Sequence, residues 1–129
     1  MTEPRVINWS GGEHAFRLRI GEAEALDDLT PAGIADLRWR CSQGIQRGSL
    51  AHAPVKVREI VEAIRLGLIG GGMDAQEARK IAVRGMEEAE FAELVMIAFA
   101  ILTDFHSGKA HDQPEKPEAA EAEAQTESV

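Results

Sequence analysis

Three features of this 129-residue chain carry side chains capable of chemistry. The first is Arg38-Trp39-Arg40 with Arg47 close behind, which could stack a base on the indole while guanidiniums hold phosphate. On an amphipathic helix the same residues would leave a partly packed tryptophan with its arginines in solvent. Neighbouring Asp36 and the acidity of the whole chain favour that second reading. The second feature is the run Gly70-Gly71-Gly72. A phosphate-cradling loop has a strand before it and a Lys-Ser/Thr pair after its final glycine. Here a helix-period run precedes the glycines and Met73-Asp74 comes after them, so they read as a helix stop and turn. The third is the set of four histidines, His14, His52, His106 and His111, which share no metal-ligand spacing. His106, near a helix end, suits the helix dipole and the neighbourhood of Asp104. Cys41 is the single cysteine, so it makes no internal disulfide and no zinc site by itself. No serine or cysteine stands beside a base in a nucleophile motif. The expectation is a protein that is no enzyme and takes no cofactor and no metal.

Charge points the same way. The 22 acidic against 14 basic residues leave a net charge of −8, which speaks against general affinity for nucleic acid or an anionic membrane. One cysteine suits a reducing cytoplasm. The polar N-terminus lacks a basic start leading into an apolar run, so no secretory leader is expected.

The elements that would position these residues centre on Val57–Asp74, VREIVEAIRLGLIGGGMD. Val57, Ile60, Val61, Ile64 and Leu68 draw one apolar stripe at helical spacing. Gly67 lies beside that stripe, where a neighbouring backbone can come close. Leu66, Ile69 and Met73 add a second ridge, so the helix is expected to meet partners on two sides. The glycines end it through a left-handed cap, and Asp74 with Glu77 forms a capping box for the next helix.

Before this helix, Arg5–Trp9 and His14–Ile20 read as strands around the turn Ser10-Gly11-Gly12-Glu13. Phe16, Leu18 and Ile20 alternate with Arg17 and Arg19, so an apolar face must lie on the helices. Glu22–Leu29 reads as a short acidic helix. Thr30 offers an N-cap and Pro31 a first helical residue for a helix reaching Gln43, with Ile34, Leu37 and Cys41 on one face. Gly44 and Gly48 loosen the chain beyond that helix, and Ser49–Pro54 reads as loop.

On the C-terminal side of the central helix, Ala75–Met86 carries a small-residue face of Ala78, Ile81, Ala82 and Gly85. A last helix over Glu88–Ser107 has Phe91, Leu94, Val95, Ala98, Leu102 and Phe105 as its main stripe. Leu94–Leu102, LVMIAFAIL, is apolar at every position. Nine residues are too few to span a bilayer, which needs about 20. They imply burial all round, either centrally or against another subunit, and so self-association. From Lys109 onward six acids face two lysines with no aromatic, which reads as a disordered acidic tail. The fold class is therefore α+β and mainly α: an N-terminal β-hairpin packed on four to five helices over residues 1–108, with the tail at 109–129.

The run IRLGLIGGG (Ile64–Gly72), with its acidic cap and the Ala-rich helix behind it, resembles the tail assembly chaperone family. That family serves gene transfer agents and related long-tailed phages, and some members are labelled tail tube proteins. The likeness covers most of Ala15–Gly108 and includes a closing helix of the AFAIL type (Ala98–Leu102). The Pro31 break and the Arg-Trp-Arg-Cys segment depart from it. The resemblance implies a non-enzymatic chaperone in the bacterial cytoplasm, absent from the mature particle. Its partners would be the tape measure protein, a long helical rod, and the tail tube protein, with homo-oligomerisation and no nucleic acid or membrane. Leu66, Leu68, Ile69, Gly70, Gly71, Gly72 and Met73 are the expected partner-binding residues. A structural tail component retained in the particle, or a small helical regulator binding nucleic acid through Arg38, Trp39, Arg40 and Arg47, are the other readings.

Overall fold

A computed structural model describes residues 3–107. The tail read at 109–129 lies outside the described residues. Strands β1 (Arg5–Trp9) and β2 (Gly12–Phe16) form an antiparallel hairpin, succeeded by helices α1 (Ile20–Leu29), α2 (Ile34–Gln46), α3 (Val57–Gly70), α4 (Ala75–Glu88) and α5 (Phe91–His106). A 3-10 turn at Leu50–His52 occupies part of the stretch expected to be loop. The hairpin on a helical bundle is the architecture the sequence implies.

The hairpin is tighter than expected. Its register runs from Arg5↔Phe16 to Trp9↔Gly12, leaving only Ser10 and Gly11 in the turn. β2 ends at Phe16 rather than Ile20 because β1 begins at Arg5, and Pro4 before it has no N–H to extend the ladder. The next backbone donor, Arg17 N–H, bonds instead to the Gly67 carbonyl on α3 at 3.0 Å, turning the chain toward α1. Phe16 and Leu18 stay buried, but Ile20 opens α1 and is 57% exposed. Two polar ties fasten the hairpin to α5. Arg5 donates twice to the Asp104 carboxylate at 2.6 Å, and the Ser10 hydroxyl donates to Glu93 at 2.6 Å. Trp9 packs on Gly85 of α4, where an added Cβ would come within 2.6 Å of the indole.

The entry to α2 differs from the sequence reading. Thr30 is the C-cap of α1, and its hydroxyl donates back to the Asp27 carbonyl at 3.2 Å. The residue before a proline is pushed out of helical geometry, so α1 closes at Leu29. α2 starts at Ile34, after Gly33 at φ +90°, and the cap comes from α1: Ile34 N–H donates to the Asp27 carboxylate at 2.9 Å. α2 also runs on through Gly44 to Gln46. Gly44 sits within the helix because a Cβ there would strike the Leu50 backbone.

α3 takes the centre. Ile60, Ile64 and Leu68 are at most 1% exposed, and the helix packs against α1, α4, α5 and β2. Val57, in its first turn, is 56% exposed and lies outside the core. Each fully buried Leu, Ile or Phe contributes about 1.5–3 kcal/mol. The glycine run ends α3 in a Schellman motif: Gly72 N–H donates to the Ile69 carbonyl at 2.9 Å and Met73 N–H to the Leu68 carbonyl at 3.0 Å. Gly72, at φ +114°, is the left-handed residue, whereas Gly71 has φ −78°. Asp74 then caps α4, accepting from the Gln76 and Glu77 N–H groups at 3.0 and 3.2 Å. Only this half of the expected capping box is made among the described residues.

Candidate functional site

The residues singled out for chemistry are drawn into the fold. Arg40 spans two elements: its guanidinium donates to both Glu59 oxygens at 2.8 Å, to Asp36 at 2.7 Å and to the Pro54 carbonyl at 3.1 Å. Glu59 is 2% exposed. Burial pushes its carboxyl up, but the Arg40 hydrogen bonds and the Lys56 N–H more than offset this and hold it below the usual range. Arg38 donates to the Thr103 hydroxyl at 3.1 Å and stacks 5.4 Å over the Phe99 ring, while Arg47 donates to the His52 carbonyl at 3.2 Å. Trp39 points away from the core, 58% exposed, with its flanking arginines turned to α5 and α3. No base-stacking and phosphate-holding cluster results. Cys41 is fully buried beside Arg40, and burial pushes its thiol up to about 12, which makes it an inert core residue.

The described histidines stand apart, at the hairpin, after α2 and at the end of α5. Among the described residues no group of three His, Cys, Asp or Glu could hold a metal ion. His106 Nδ1 lies 3.0 Å from the Leu102 carbonyl, as a helix-end histidine should, and His111 lies outside the described residues. His14 is the most constrained. Trp9 Nε1–H, a donor only, donates to His14 Nδ1 at 2.9 Å, so the ring is neutral with its proton on Nε2. Desolvation first, and then the nearby Arg84 cation, holds its pKa below the ordinary 6.5. The folded state thus resists the proton that the unfolded chain accepts. His14's contribution is complete above pH 6.5 and is lost as pH falls from there through the lower folded value. We expect the thermal midpoint to drop more between about pH 7.5 and about pH 5 in the native chain than in His14→Gln, which accepts the bond without titrating. Equal drops would refute this.

The seven residues expected to bind a partner divide sharply. Leu66 and Leu68 are 6% and 0% exposed and belong to the core. Gly70 and Gly71 lie beneath the end of β2, where a Cβ would land on the carbonyl oxygens of Arg17 and Ala15. Their missing side chains are used by the chain's own hairpin. Ile69 and Met73 are half-buried against the core, and Gly72 faces open space. The second ridge of α3 is therefore covered mostly from within, because α1, α4, α5 and β2 surround the helix.

Other helices hold the open faces. α5 is not buried all round: Met96 is 54% exposed and Phe99 and Ala100 are half-buried. Ala92, Met96, Phe99 and Thr103 recur at i, i+4, i+7 and i+11 away from the core stripe; none is charged, Arg38 of α2 covers the Phe99 and Thr103 end, and Met96 is the exposed member. The nearby acids, Glu93 and Asp104, are turned to the hairpin. On α2, Ile45 is 67% exposed two turns along the face from which Arg38 reaches α5. Subtracting the core stripe of α5 from its all-apolar run would have exposed this second face in the sequence. α4 turns a basic face outward, and α1 an acidic one. Among the described residues no helix is long and apolar enough to cross a membrane.

Fold and surface thus define a small hairpin-and-helix domain whose outward helix faces are sorted by charge. A family model described as phage tail tube protein, GTA-gp10, matches residues 4–108. The chain belongs to this family and is a tail-related protein of phages or gene transfer agents. No curated protein and no solved structure matches at significance.

Proposed function

We propose that this chain is a non-enzymatic tail assembly chaperone. It would hold the helical tape measure protein soluble in the bacterial cytoplasm while tail tube subunits assemble around it, and leave before the particle matures. The observation that supports this is the outer face of α5, where exposed Met96 stands between half-buried Ala92 and Phe99, with Arg38 of α2 closing the far end at Phe99 and Thr103. An apolar stripe at this spacing suits a partner helix with anchors at i, i+3, i+4 and i+7. Net charge of −8 keeps such a complex soluble.

Co-expression with the tape measure protein tests the proposal. The native chain should raise the soluble, co-purifying tape measure protein several-fold, and Met96→Glu should abolish most of that gain without lowering the thermal midpoint, since Met96 is exposed. Equal solubility with and without the native chain would refute it. The family's description as a tail tube protein favours a second reading, a tube component retained in the particle. Stoichiometric amounts of the chain in purified particles would select that reading.

A further inference from the structure

α1 and α4 each pack on α3 rather than on one another. α4 turns Arg79, Lys80 and Arg84 outward around Val83, which is 41% exposed, with Gln76 and Glu87 completing the face. Arg79 and Lys80 have no ion-pair partner among the described residues, and Arg84 has only an exposed contact with Glu88 at 4.0 Å. On α1 the corresponding surface is a shallow cleft of about 260 Å3, lined by Ile20, Ala23, Ile34 and Phe105 and edged by Glu24 and Asp27. Asp28 continues the acidic edge, and Glu24 and Asp28 have no cationic partner among the described residues. We propose that these two faces are the halves of one head-to-tail interface between copies of this chain. Val83 enters the cleft beside Ile20, and Arg79, Lys80 and Arg84 meet Glu24, Asp27 and Asp28.

Three arguments converge on a second copy as the occupant. Charge is complementary, three cations and one acid on α4 against Glu24, Asp27 and the adjoining Asp28 on α1, around an exposed apolar residue on each side. Each helix also carries a like-charge pair at i,i+4, Glu24 with Asp28 and Lys80 with Arg84, which disfavours it in isolation and is relieved when the opposite face docks. Nucleic acid fits the α4 face poorly, because the chain as a whole is strongly acidic. Because the two faces are different patches, the contact is heterologous and can repeat from copy to copy, as rings and filaments require. None of this draws on the α5 face or on a chaperone role.

Sedimentation of the full chain at several protein and salt concentrations tests the interface. Association should rise with concentration at about 0.05 M salt and fall steeply toward about 1 M, where screening shortens to about 3 Å. The variants Arg79→Glu/Lys80→Glu and Glu24→Lys/Asp28→Lys should each weaken it by about tenfold or more, with unchanged circular dichroism. Mixing the two variants should restore it, since each retains the face the other has lost. A monomer at every concentration would overturn the proposal, as would salt-independent association unaffected by either variant, which assigns it to α5. A change of melting on charge reversal with no change of mass would also overturn it, placing the acidic 109–129 segment on α4 in the same chain. The α4 variant leaves Met96 and Phe99 intact, so tape measure solubility reads out separately.

Discussion

Glu59→Ala should destabilise the protein by about 3–5 kcal/mol, because Arg40 loses its bidentate partner beside an emptied, dry site and keeps only Asp36 and the Pro54 carbonyl. The pair is a bidentate fork at 2.8 Å joining α2 to the first turn of α3, and Glu59 also accepts the Lys56 N–H at 2.8 Å. One substitution therefore strips the bridge between two helices and the cap of the central one. For a domain of this size the midpoint should fall by about 15–30 °C. Denaturant unfolding measures the loss, and a change below about 1 kcal/mol would show that the pair is solvated in solution. Removing both charges, as in Arg40→Met/Glu59→Leu, should cost much less than Glu59→Ala, since the only charge left behind, Asp36, is 35% exposed and reaches water. The acid response has a definite sign. Glu59 is held below its ordinary value of 4.5, so its stabilisation is present above that pH and is lost as pH falls through the lower folded value.

Gly70→Val is expected to cost about 3 kcal/mol, through crowding rather than backbone strain. A side chain at Gly70 meets the Arg17 carbonyl, and the same backbone segment is held by Arg17 N–H donating to Gly67 and by the Arg17 side chain donating to the Gly70 carbonyl at 3.2 Å. The hairpin must lift to make room, which loosens Phe16 from the core. Gly72→Ala is the control: it has open space but φ +114°, so it should cost only about 1 kcal/mol of left-handed strain. Equal losses at the two positions would mean that the hairpin does not lean on α3 as described.

The sequence by itself determined the elements whose signals are local. Helical spacing located α3, α4 and α5, the glycine run stopped α3, Asp74 capped α4, and the small face Ala78, Ile81, Ala82 and Gly85 is buried as its spacing implies. The Ile64–Gly72 run also carried the resemblance to phage tail proteins that the family match bears out. Tertiary structure decided everything that depends on what lies across from a residue. An arginine beside a tryptophan is free or committed according to whether Glu59, Thr103 or a carbonyl faces it, and those partners are 5 to 65 residues away. Thr30 reads equally well as the start of a helix or the end of one, and the choice fell to an Asp27 carboxylate already placed at Ile34. The second ridge of α3 and the back of α5 are both apolar in sequence. The four elements around α3 cover the first, while on the second Arg38 covers one end and Met96 stays open, because an apolar stripe states only that it seeks cover, and the packing of the whole chain decides which stripe finds it.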